Sequence, residues 1–289
     1  MVPSLTTTDG RRLAWREIGS GPPLVLHPGG PGCSSAYFGE LPELEAERTL
    51  LALDPRGTGD SDRPADPSGY DLEDYADDIE ALREHLGLER LDVVGHSHGG
   101  FVAMTWAGTH PERVGRLVLA STAPRFTDSI RRARRERAAS HQGQPYFQDA
   151  MDAMRAHSAG DYASDDELAA LYERELPLFA PLGADIRDIG AALRRAGVNA
   201  DALRHFNEHI AGHMDLRPHL NRIDSPTLVI AGDEDPFGPP VPQEIAAELP
   251  KPTRHIVPGA DHFPYLEADH RTEWSRAILG FLARRDQRT

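Results

Sequence analysis

The 289 residues carry 31 basic and 46 acidic side chains, a net charge of −15 with histidine neutral. A surface this negative repels phosphate backbones and anionic lipid, so neither nucleic acid nor a membrane is an expected partner. Hydrophobic residues make up 39% of the chain, ample for a core at this length, which excludes whole-chain disorder. Cys33 is the single cysteine, so an intramolecular disulfide and a four-cysteine zinc site are excluded, and a cytoplasmic location is expected. The stretch Met1-Val2-Pro3-Ser4-Leu5-Thr6-Thr7-Thr8-Asp9-Gly10 lacks the basic and apolar regions of a secretory signal. No apolar run approaches the roughly 20 residues that span a bilayer.

In chain order, Ser4 to Thr8 and Arg11 to Ile18 read as strands joined by an Asp9-Gly10 turn, a hairpin pattern because Asp-Gly tolerates positive φ. The apolar run Leu24-Val25-Leu26 is a short buried strand, and Thr49 to Leu53 another. Leu72, Tyr75, Ile79, Leu82 and Leu86 recur at helical spacing, and Gly87 ends that helix. A strand over Leu91 to Val94, a helix over Gly99 to Thr109 and a strand over Val114 to Ala120 follow. Such alternation, with strands apolar on both sides, predicts an α/β fold: a mostly parallel sheet covered by helices on each face.

The rhythm breaks after Pro124. Residues 125–215 hold helical patterns and no convincing strand, which predicts an all-helical insertion, a cap, between core segments 1–124 and 216–289. Strand rhythm resumes at Pro226 to Ala231, then a helix over Val241 to Leu249, a strand over Thr253 to Val257 and a final helix over about Asp269 to Arg284. An insertion at this point is a common way to build a lid over a site at the strand ends.

The chemistry is carried first by Gly95-His96-Ser97-His98-Gly99, a G-x-S-x-G pattern between a strand and a helix. A serine on so sharp a turn adopts strained backbone geometry and needs small neighbours two residues away on each side. Its hydroxyl needs a base oriented by a carboxylate. Asp235, in Gly232-Asp233-Glu234-Asp235-Pro236, and His262, in Gly259-Ala260-Asp261-His262, each follow a strand and complete the order Ser, acid, His. Asp233 and Glu234 rival Asp235; His255, inside a strand, and His270, inside the last helix, are poorer bases by position. Two backbone amides must hold the oxyanion. One is expected from His98, the residue after the serine, and one from His27-Pro28-Gly29-Gly30-Pro31-Gly32, with Gly30 preferred, Gly29 next and Pro31 excluded for want of an N–H.

These segments, with Asp54-Pro55-Arg56-Gly57-Thr58-Gly59-Asp60-Ser61-Asp62, resemble the α/β-hydrolase superfamily. Within it the chain is similar to the proline iminopeptidase branch, whose hallmark is a Gly-Gly-Pro-Gly oxyanion loop. That branch commonly has glycine after the loop histidine and tryptophan after the nucleophile, where this chain has Pro28 and His98. The resemblance implies a Ser97, Asp235, His262 triad under a helical cap that selects substrate. It also implies a small-molecule or short-peptide substrate, without cofactor or metal. An aminopeptidase of iminopeptidase type ranks ahead of a carboxylesterase or lactonase acting on a hydrophobic small molecule, and a non-catalytic binder stands as an alternative from another class.

An aminopeptidase must hold a substrate ammonium group, and Glu173, Glu175 and Glu208 are the cap acids considered for it, Glu208 first. His205, His209 and His213 recur at i, i+4 and i+8, a spacing that suits a metal but that a serine mechanism does not require. The run Arg131-Arg132-Ala133-Arg134-Arg135-Glu136-Arg137 reads as a solvated helix face rather than an anion site. Asp54 and Arg56 are expected to hold their loop in shape.

Overall fold

Eight strands form one sheet in the order β1-β2-β4-β3-β5-β6-β7-β8. They span Ser4–Thr6 (β1), Arg12–Gly19 (β2), Pro23–His27 (β3), Thr49–Asp54 (β4), Leu91–His96 (β5), Val114–Ala120 (β6), Thr227–Gly232 (β7) and Pro252–Val257 (β8). The computed structural model describes residues 2–66 and 68–284. Met1 of the N-terminal stretch, Pro67, and residues 285–289 of the expected second core segment lie outside these. The hairpin forms as expected, with Leu5 opposite Leu13, and β2 pairs antiparallel with β4. All remaining pairs are parallel.

Helices α1 (Pro42–Glu45), α2 (Leu72–His85) and α3 (His98–Thr109) precede β6 or lie between the early strands. Five more, α4 (Asp128–Ser140), α5 (Phe147–Ala159), α6 (Asp165–Glu175), α7 (Arg187–Ala196) and α8 (Ala200–His209), fill the long connection from β6 to β7. Helices α9 (Arg217–Leu220), α10 (Pro240–Glu248) and α11 (Ala268–Leu282) complete the chain. None of the described helices is long and apolar enough to cross a membrane.

Alternate residues of the central strands feed two cores, because successive side chains leave opposite faces of a strand. Val25, Leu51, Leu53, Val93, Leu117 and Val229 pack with α2, α3 and α10 on one face. Leu24, Leu26, Leu50, Val94, Val118 and Ile230 pack with α11 on the other. The long helical connection leaves and re-enters at adjacent points, where Arg125 and Asp215 form an isolated antiparallel bridge. Asn199 ties it to the sheet segment: its side-chain amide donates to the Gly57 carbonyl at 2.9 Å and to Tyr70 Oη at 3.0 Å, while its Oδ1 caps α8.

Candidate active site

Ser97 sits between β5 and α3 with φ 54° and ψ −117°, a left-handed conformation that costs a non-glycine residue of order 1–3 kcal/mol. Its surroundings hold it there. The Ser97 amide donates to the Ala120 carbonyl at 2.9 Å, and Thr122 Oγ1 donates to the Ser97 carbonyl at 2.8 Å. A Cβ on Gly99 would collide with the carbonyl oxygens of His27 and Pro28. The small residue two past the serine is thus what lets α3 dock against the glycine loop.

The predicted partners converge on Ser97. His262 Nε2 lies 3.1 Å from Ser97 Oγ, and His262 Nδ1 lies 3.1 and 3.2 Å from the two oxygens of Asp235. A carboxylate only accepts, so Nδ1 carries the proton and Nε2 offers its lone pair to the serine. Both Asp235 and His262 are buried. Burial raises the Asp235 carboxyl, but His262 and the Phe237 amide outweigh it and hold the group below its usual range; that amide donates at 2.8 Å. The rival acids are engaged elsewhere: Asp233 accepts from the Gly259 amide at 2.6 Å, and Glu234 pairs with Arg137 at 2.5 Å. The rival histidines meet Glu273 and Glu267.

Gly30 borders the cavity over Ser97 with φ +117°, a conformation L side chains rarely adopt. Among the described residues neither its amide nor the first amide of α3, that of His98, has a hydrogen-bond acceptor. Gly29 lies deeper, where a Cβ would stand 2.6 Å from Tyr37 Oη and 3.0 Å from Ser97 Cβ. The His98 ring turns away into the core, edge-on to Tyr75, Phe101 and Phe206, and burial lowers its pKa to about 3.

His96, to which the G-x-S-x-G pattern assigns no role, also bears on the site. Its Nε2 lies 2.7 Å from the His262 carbonyl and its Nδ1 3.0 Å from Tyr37 Oη. The carbonyl can only accept, so His96 donates from Nε2 and receives the Tyr37 hydroxyl proton at Nδ1. Burial holds the ring neutral, its pKa lowered to about 3. Side-chain identity at the middle of G-x-S carries no pattern that foretells this contact, since His262 lies 166 residues away.

Above Ser97 and His262 is a cavity of about 510 Å³ walled by α4 to α8 and by Phe and Tyr rings. Glu208 is absent from it. That residue is 60% exposed and faces His209 at 3.7 Å on the outer side of α8, so the expectation that it reaches the pocket is corrected. Glu173 is also outside, against Arg194 at 3.4 Å. Of these three acids Glu175, on α6, is the one in the cavity wall, with both carboxylate oxygens on His157 Nδ1 at 2.8 and 3.1 Å. The arginine run is likewise corrected in two positions: Arg131 and Arg134 line the cavity. His205 bonds Asp71 at 2.7 Å, and His213 lies beyond the end of α8. The described residues hold no group of three or more metal-ligating side chains arranged to share an ion. Asp54 and Arg56 hold loops: Asp54 accepts from the Ser35 and Asp60 amides, and Arg56 pairs with Asp78 at 2.8 Å.

Residues 22–170 match the model of the alpha/beta hydrolase fold family, and the chain belongs to that family as a hydrolase of α/β fold. It is similar to a proline iminopeptidase of Clostridium botulinum, at 29% identity over 93% of each chain. It is equally similar to a non-heme haloperoxidase of Rhodococcus erythropolis, at 29% identity over 90% of this chain and 93% of the relative. A hydrolase of Pseudomonas aeruginosa superposes with a TM-score of 0.71 at 27% identity, with 98% of both chains covered.

Proposed function

We propose that the chain is a serine hydrolase working through an acyl-enzyme. The observation that carries this is the unbroken line from Ser97 Oγ to His262 Nε2 and from His262 Nδ1 to Asp235, each gap about 3.1 Å, beneath a cavity lined in part by Phe and Tyr rings. Ser97 Oγ attacks the acyl carbon while its proton passes to His262 Nε2; Asp235 orients the ring and stabilises the imidazolium. The amides of Gly30 and His98 hold the oxyanion of the tetrahedral intermediate. Collapse expels the leaving group, which takes the proton from His262. Water then repeats the sequence on the acyl-enzyme and frees Ser97. No step calls for a cofactor or a metal.

Residues 125–215 act in this reading as the cap that selects substrate, and the enzyme works in the cytoplasm on a small molecule. The scissile bond best supported is a carboxylic ester or lactone. The iminopeptidase-like reading has its own support, kinship with an iminopeptidase and the presence of Glu175 in the cavity. Glu175 is already held by His157, however, and an ammonium entering beside it would face the positive charge of Arg134. A panel of prolyl-arylamide, 4-nitrophenyl esters and lactones decides between them. Ester or lactone turnover abolished by Ser97→Ala, together with fluorophosphonate labelling at Ser97, is the expected result. A preference for free prolyl-arylamide that vanishes when its amine is blocked reverses the ranking, and parental ester turnover in Ser97→Ala ends the serine reading.

A further inference from the structure

The wall of the cavity contains a positive charge that the protein leaves unneutralised. Helix α4 buries Ile130 and Ala138, and Arg134 lies midway between them, four residues from each and therefore on the same inward face. The other arginines of the run differ. Arg131 also borders the cavity, but it pairs with Asp128 at 3.3 Å and donates to the Phe126 carbonyl at 3.2 Å; Arg137 pairs with Glu234 at 2.5 Å, and Arg132 and Arg135 are exposed. Arg134 borders the cavity with its guanidinium 5.4 Å above the Phe179 ring. Among the described residues it has neither hydrogen bond nor ion pair. Glu175, the single carboxylate in the described lining, attracts it through space but makes no ion pair with it, its oxygens being directed at His157.

A cation in an aromatic cavity is costly unless an anion joins it, and a folded chain that places one there, with no partner of its own, leaves that place for a ligand. We propose that Arg134 is the docking point for a carboxylate carried by the substrate, so that the enzyme hydrolyses esters whose non-reacting end is a free carboxylate. A carboxylate fits because its two coplanar oxygens match two parallel guanidinium N–H groups. A phosphate dianion would bring a second negative charge into the cavity without a second unpaired cation to meet it. This rests on the serine hydrolase reading for the reacting end and adds to it the class of substrate.

The test uses 4-nitrophenyl hemiesters of glutaric, adipic and pimelic acid beside the same compounds with the far carboxyl as its methyl ester. The charged member of at least one pair is expected to show about 10-fold higher kcat/KM in the parent. Arg134→Gln should lower the charged-to-neutral ratio about 10- to 100-fold, mainly through KM, the loss of one charge-assisted contact. Arg134→Lys should restore part of the ratio, which a merely structural role would not do, and Arg132→Gln, on the opposite face of α4, should leave it at the parental value. A parental ratio near one at every chain length, or an equal loss for both members in Arg134→Gln, overturns the assignment. Calorimetry of free glutarate and adipate on Ser97→Ala protein reads the carboxylate site without the reaction. Binding that disappears when Arg134→Gln is added supports the site even if no ester is cleaved. Binding that survives the substitution overturns the site while leaving the serine reaction standing.

Discussion

Helices α3 and α4 both border the cavity, yet they are built in opposite ways. In α3, 11 of 12 residues are buried, among them Phe101, Val102 and Trp106. In α4 only Ile130 and Ala138 of 13 are buried. The first is wedged between the sheet and its covering helices and holds Ser97 in a strained turn that the packing must over-determine. The second touches the rest of the molecule along a narrow stripe, so its side chains are free to be polar and its position on the helix decides function. In the proposed mechanism the reacting groups belong to the densely packed half and substrate choice to the sparsely packed half, an arrangement that would let selectivity change without disturbing the chemistry.

Three substitutions break this contrast, from the largest expected effect downward, and a fourth, at Gly212, is the control for the second. Ser97→Ala should lower kcat for ester hydrolysis by about 1000-fold or more with little change in Tm, since it removes the nucleophile and no packing. Gly99→Ala should destabilise the fold by about 1–3 kcal/mol in urea unfolding, because the added methyl collides with backbone that cannot retreat. The matching change beyond α8, Gly212→Ala, meets nothing within 4 Å and should stay within about 0.5 kcal/mol. His96→Phe should cost about 1–3 kcal/mol, leaving the Tyr37 hydroxyl and the His262 carbonyl without partners. Its kcat should fall while KM is nearly unchanged, the sign of a positioning residue.

The last effect concerns pH. Burial, reinforced by the adjacent Glu267 carboxylate, pushes the Asp261 carboxyl up to about 8. Its native pKa thus exceeds the ordinary carboxylate value, and between about pH 4 and pH 8 the native state binds a proton that the unfolded chain has released. Stability from this group is fully present below that window and is lost as pH rises through it. Asp261→Asn keeps an acceptor for the Phe263 amide, which lies 2.6 Å from Asp261 Oδ1, and cannot ionise. Its Tm relative to the parent should therefore climb by a few degrees from pH 5 to pH 9. An offset independent of pH would mean that Asp261 is ionised throughout.

Much of this molecule was legible before folding was considered. Periodic burial marks the strands and α2, because a sheet covered on both faces and a helix covered on one leave different spacings in the chain. The turn at Ser97 and the loop through Gly29 and Gly30 are also local: backbone strain and close approach demand particular residues within five or six positions. What sequence could not carry is the meeting of distant segments. That His262 rather than another of the 14 histidines faces Ser97 was inferable from its place after a strand, but its contact with His96 was not. Glu208 and Glu175 show the limit most plainly. Both are acids on helices between β6 and β7, and only the packing of those helices turns Glu175 inward and leaves Glu208 in solvent. For α4 the reason is physical: a stripe of two buried residues in a helix made mostly of Arg and Ala sets the helix phase too weakly to read from the chain. Only contact with Phe179 and the cavity walls decides that Arg134 points in.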